Sequence, residues 1–213
     1  MRTVTLCLLC AAILIAAPSA FADTIAATTN PGEVFVNTGT WTLGWSFSVN
    51  SAISVTALGA YDANSDGLNV AHDVGIWDAS GNLLASTTVP SGVGGTLDSG
   101  YRFNSISPLG LNAGSTYYVG AVYFSNDGDG WLQDPLTIVT APQISYLSRQ
   151  YEFSGGSLIF PDLAGSGSTG YFGGNFEFGS RSDAVPEPAT FMLLATGLGI
   201  AFAARKRLAI VRP

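Results

Sequence analysis

The sequence predicts an all-β protein: an antiparallel β-sandwich of the jelly-roll or immunoglobulin-like kind, flanked by an N-terminal signal helix and a short C-terminal hydrophobic helix. Three observations carry this. Apolar residues between positions 23 and 178 recur with the period of strands, polar turns rich in Gly, Asn, Asp and Ser separate them, and no stretch there keeps a helical period. Eight or so strands at a spacing of roughly ten residues suit two packed sheets.

The elements follow in order. Met1-Arg2, an apolar run from Val4 to Ala17 and then "PSAFA" form a secretory signal peptide over residues 1–22, with cleavage expected after Ala22. Cys7 and Cys10 each follow a leucine where a lipoprotein signal needs a small residue, so that reading is set aside. In "LGWSFSV", Leu43, Trp45, Phe47 and Val49 share one strand face and Gly44, Ser46 and Ser48 the other. "DVGIWDASGNLLAS" reads as a hairpin turning at Asp78–Asn82, where Gly81 and Asn82 supply the positive φ of a tight reversal. "TYYVGAVYF" is apolar on both faces and belongs in the centre of a sheet. A Gly/Ser loop at 164–170 precedes a closing strand from Tyr171 to Phe178, and residues 179–188 read as a linker.

Composition narrows the function. The exported part keeps no cysteine, so packing must stabilise it without disulfides. Residues 23–184 hold 14 Asp or Glu against Arg102, Arg149 and Arg181 and no lysine, a formal charge of −11. With no basic cluster to neutralise phosphate, nucleic acid and anionic lipid are excluded as partners, and a divalent cation is favoured.

The end of the chain reads as an address. Residues 189–204 are uncharged and span about 24 Å as a helix, short of the roughly 30 Å hydrocarbon core. Arg205, Lys206 and Arg207 follow as a basic stop of a segment running to 207, with 208–213 as a cytoplasmic tail. "VPEPAT", the apolar segment and "RKR" together resemble the PEP-CTERM sorting signal of Gram-negative bacteria. The resemblance implies that an exosortase reads Pro186, Glu187 and Pro188, and that the helix anchors an inner-membrane precursor after export by the Sec machinery. It implies that the mature protein reaches the cell surface or the exopolysaccharide matrix. The body, through "ISVTALGAYD", "GLNVAHDVGIWDASGNLLASTTV" and "LNAGSTYYVGAVY", is similar to a domain of unknown function that recurs in PEP-CTERM and bacterial surface proteins. That resemblance brings no activity with it.

Candidate chemistry is sparse. His72 is the one histidine, no G-x-S-x-G elbow is present, and Asp127 and Asp129, the obvious carboxylate pair, stand in the turn-like "NDGDG". The expectation is a protein that is not an enzyme. "DANSDGLNVAHD" spaces Asp62, Asn64, Asp66, the Leu68 carbonyl and Asp73 like the oxygen ligands of a calcium loop, although a strand precedes it and Asp73 stands where a glutamate is usual. The competing reading is a polar turn. Among Trp41, Trp45, Trp77 and Trp131, Trp45 suits the core and Trp131, after a polar turn, is the surface candidate for stacking on sugar rings. Two functions follow: a structural or adhesive component of the surface matrix, or a carbohydrate-binding module for exopolysaccharide, stabilised by calcium.

Overall fold

The structure, a computed structural model, describes residues 23–180 except 31, 32, 36, 37, 136 and 166–169. The signal peptide, the Pro186-Glu187-Pro188 motif, the hydrophobic segment, Arg205–Arg207 and part of the Gly/Ser loop lie outside the described residues.

Among those residues the chain is all-β. Its strands are β1 (Thr24–Ile25), β2 (Ala27–Thr29), β3 (Glu33–Phe35), β4 (Trp41–Val49), β5 (Ile53–Tyr61), β6 (His72–Asp78), β7 (Leu83–Val89) and β8 (Thr96–Asp98). There follow β9 (Tyr101–Leu111), β10 (Thr116–Tyr123), β11 (Trp131–Gln133), β12 (Ile138–Thr140), β13 (Ile144–Phe153), β14 (Leu163–Ala164), β15 (Tyr171–Phe172) and β16 (Gly174–Ser180). One sheet runs β14-β13-β4-β10-β6-β7 and a second β1-β16-β5-β9-β8, with smaller sheets β15-β11-β3 and β12-β2. The long strand pairs are all antiparallel.

The two large sheets meet through aromatic side chains. Trp45 of β4 stacks on Phe176 of β16, ring centroids 5.9 Å apart, and its indole N–H donates to the Gly174 carbonyl at 2.9 Å. That bond removes the one polar cost of burying a tryptophan completely. Phe47 packs on the same Phe176 at 4.9 Å, and each such buried ring contributes about 1.5–3 kcal/mol.

Three expectations need adjustment. The alternation in β4 does not tell how its second face is covered: Thr42, Gly44 and Ser46 are buried as well. The segment before β14 covers this side of the sheet, with the Ile159 N–H on Thr42 Oγ1 and Phe160 against Tyr118 and Trp77. The closing strand is two strands, because the chain changes sheet at Gly173, where any Cβ would come within 2.6 Å of the Tyr123 ring. The strands of seven or more residues are joined by several two- and three-residue ones that short apolar runs do not announce. The hairpin at Asp78–Asn82 forms, with Gly81 at φ +80°, but Asn82 does not take the expected positive φ; its amide and side chain donate to the Asp78 carboxylate, which also accepts from the Ser80 amide.

Candidate functional site

The site sits where the loop after β5 meets the loop after β10. Asp62 directly follows β5, and its carboxylate accepts from the Gly67 amide at 3.0 Å, closing a loop in which Ser65 and Gly67 have positive φ. Leu68 then exchanges two backbone hydrogen bonds with Gly92, of 3.1 and 2.6 Å. Beyond it, the Asn69 and Val70 amides donate to the two carboxylate oxygens of Asp129, and the Asn69 side chain adds a third donor.

The sequence-read calcium ligands are partly gathered here. Asp62, Asn64, Asp66 and Leu68 line one cleft of about 300 Å³, together with Asn69 and Asp129. Asp73 is not in that lining; it belongs to β6, and its Oδ1 accepts the Thr88 hydroxyl of β7 at 2.6 Å. A strand residue after His72 points its side chain away from the loop, which spacing in the sequence does not reveal. Asp62 already has a cation: Arg102 Nε lies 2.7 Å from its Oδ2, with both side chains almost fully buried. The same guanidinium donates to the carbonyls of Val93 and Ser65.

A second group of ligating atoms lies under the first. His72, at the start of β6, is fully buried, and one ligand atom from each of His72, Asp127 and Asp129 falls within 4.8 Å of the others. Its Nδ1 is 2.6 Å from the Val122 carbonyl and its Nε2 is 2.9 Å from Asp129 Oδ2. Asp127 is held by amides: Phe124 N–H on Oδ2 and Asp129 N–H on Oδ1. The turn that places both carboxylates uses Asn126 and Gly128 at φ +56° and +85°. Burial pushes the Asp127 carboxyl up. Burial acts on Asp129 in the same direction, but the His72 hydrogen bond and the Asn69 and Val70 amides outweigh it and hold Asp129 below the ordinary range.

The sequence offered His72 as an isolated imidazole and Asp127 and Asp129 as an isolated pair; their meeting depends on β6 lying beside β10. Sequence reasoning missed Arg102 as the partner of Asp62; its place between Tyr101 and Phe103 was the available signal, since an arginine buried beside two aromatics needs a partner.

Trp131 is corrected from a surface ring to a packed one. It is 6% exposed, stacked on Phe35 at 5.7 Å and edge-on to Tyr171 at 5.1 Å, because β11 lies between β15 and β3 rather than in a solvated turn. One edge of it still lines an open groove of about 260 Å³ with Trp41, Leu43, Gln133, Tyr151 and Tyr171. Phe153, 59% exposed, stands edge-on to Trp41. Trp45 and Trp77 are buried, as is consistent with core positions.

An antiparallel all-β body with a pre-oriented His/Asp/Asp group and no described helix defines an all-β domain. Residues 27–173 match the domain of unknown function DUF4082, and the chain belongs to that family. Residues 184–207 match the PEP-CTERM protein-sorting motif, which implies an exosortase-sorted, exported protein whose membrane-anchored precursor is processed to the cell surface. No curated protein matches the chain. Among the described residues no helix is long and apolar enough to cross a membrane.

Proposed function

We propose that the protein is a non-catalytic structural or adhesive component of the cell surface or exopolysaccharide matrix, built on a jelly-roll or immunoglobulin-like sandwich. One observation carries this reading: a β body whose last strand ends at Ser180 is followed directly by a sorting motif from 184. A signal peptide over residues 1–22 and passage through the Sec machinery belong to the same reading. A non-catalytic role is supported by His72, whose two ring nitrogens face Val122 and Asp129 and no hydroxyl nucleophile. The test is deletion of the gene followed by measurement of matrix cohesion and cell adhesion, with complementation by the intact chain and by a chain ending at residue 183. Rescue by the truncated form to the same degree as the intact chain overturns surface display as the role.

A second reading, carbohydrate binding, is favoured by the groove of Trp41, Trp131, Tyr151 and Tyr171, which offers aromatic faces beside the amide of Gln133. Saturable binding of the organism's own exopolysaccharide, lost on Trp41→Ala, supports it; unchanged binding in that variant counts against it. Calcium belongs to this proposal as a stabiliser at the upper cleft. With Arg102 on one oxygen of Asp62, such an ion relies on Asn64, Asp66 and the other Asp62 oxygen, a set suited to an affinity of about 10⁻⁴ to 10⁻³ M.

A further inference from the structure

We propose that His72, Asp127 and Asp129 form a binding site for a divalent transition-metal ion, with Zn²⁺ the best-matched species. The argument begins with His72. A carbonyl oxygen can only accept, so at 2.6 Å from the Val122 carbonyl Nδ1 carries the ring proton. Nε2 then faces another acceptor, Asp129 Oδ2, at 2.9 Å. Two lone pairs at that distance in a buried site require a positive centre between them, either a second ring proton or a metal ion.

The convergence of three ligand atoms within 4.8 Å of one another favours the metal, and charge is consistent with it. An imidazolium offsets one of the two carboxylates, while a dication offsets both. Among the described residues both arginines have carboxylate partners: the guanidinium of Arg102 is spent on Asp62 and that of Arg149 on Asp134. The body has no lysine.

The surroundings have the form that metal ligands take. The histidine donates its other N–H to a backbone carbonyl, and both carboxylates are oriented by backbone amides from Phe124, Asp129, Asn69 and Val70. These ligand atoms are aimed before any ion arrives. One imidazole with two carboxylates suits zinc better than calcium, which takes oxygen ligands in larger number.

The experiment uses the purified full-length chain in detergent micelles, made without a histidine tag. His72 is the one histidine in the sequence, so ¹⁵N spectra of the imidazole report on it alone. On adding Zn²⁺, the expected result is an Nε2 without a proton and shifted by the metal, with one ion retained per chain after dialysis. Asp127→Asn, which sets an NH2 against one of the two backbone amides from which the carboxylate accepts, is expected to lower the zinc-free melting temperature by about 2–8 °C and, at temperatures where it stays folded, to weaken zinc binding at least about 10-fold. Protons on both ring nitrogens in the presence of excess Zn²⁺ overturn the proposal, and that reading holds even if the variant fails to fold. Retention of Ca²⁺ but not Zn²⁺ overturns it as well, since the imidazole is then no ligand.

Discussion

Arg102 Nε lies 2.7 Å from Asp62 Oδ2, and this buried pair holds the centre of the loop that the sequence presents as a cation site. The guanidinium also reaches the Val93 and Ser65 carbonyls, so it joins β9 to the loops on either side of it. A charge supplied by the chain itself therefore shapes the upper cleft.

Removing one member of that pair should be costly. Arg102→Met leaves a carboxylate buried without its partner and should destabilise the protein by about 3–5 kcal/mol, read from urea unfolding. Combining it with Asp62→Leu should recover a large part of the loss, because no buried charge then remains. A double variant as unstable as the single one would show that the carbonyl contacts of Arg102, rather than the ion pair, carry the stability.

Glu177 of β16 sets a pH dependence. Burial, with Asp98 and Asp23 adding to it, raises its carboxyl from 4.5 to about 7. Between those values the folded state binds more protons than the unfolded one, so stability falls as pH rises through that window. Glu177→Gln should remove the slope and raise stability at pH 8 by about 1 kcal/mol, a modest figure because the half-buried carboxyl is screened by solvent. The melting temperature, about 2–4 °C higher per kcal/mol, is the measurement. An unchanged slope between pH 5 and 7.5 would assign the effect to another group.

Two glycines separate steric from conformational constraint. At Gly44 a Cβ would collide with the Val119 carbonyl and come within 2.7 Å of Gly120 Cα, so Gly44→Ala should cost about 3 kcal/mol or prevent folding. At Gly114 the space is open, but φ is +78°, and alanine should cost about 1 kcal/mol through strain alone. Equal costs at the two positions would contradict the close approach of β4 and β10.

Processing of the tail gives a cellular test. Substituting Pro186, Glu187 and Pro188 by alanine should make a full-length precursor accumulate in the membrane fraction, and neutralising Arg205, Lys206 and Arg207 should reduce its retention there. Immunoblots of membrane and surface fractions are the measurement. Mature surface protein that still contains residues 189–204 would rule out removal of the segment.

What the sequence determined by itself was local. Alternation placed Trp45, Phe47 and Val49 on the buried face of β4, and the polar spacing and Gly81 placed the hairpin between β6 and β7. The sorting motif was equally legible, because it is read as a contiguous string. Tertiary structure decided what lies across sheets and between loops. Trp131 and Trp41 line one groove, yet Trp131 is buried but for an edge, stacked on Phe35 because β3 pairs with β11, while Trp41 is only partly buried and stands edge-on to the exposed Phe153. Asp73 falls twelve positions into the cation-like loop but turns to Thr88, since strand geometry overrides linear spacing. His72 and Asp129, 57 residues apart, come to 2.9 Å because β6 pairs with β10 and the turn after β10 folds back over it. Periodicity records which face a residue occupies; only pairing between distant strands decides which other residue it meets there.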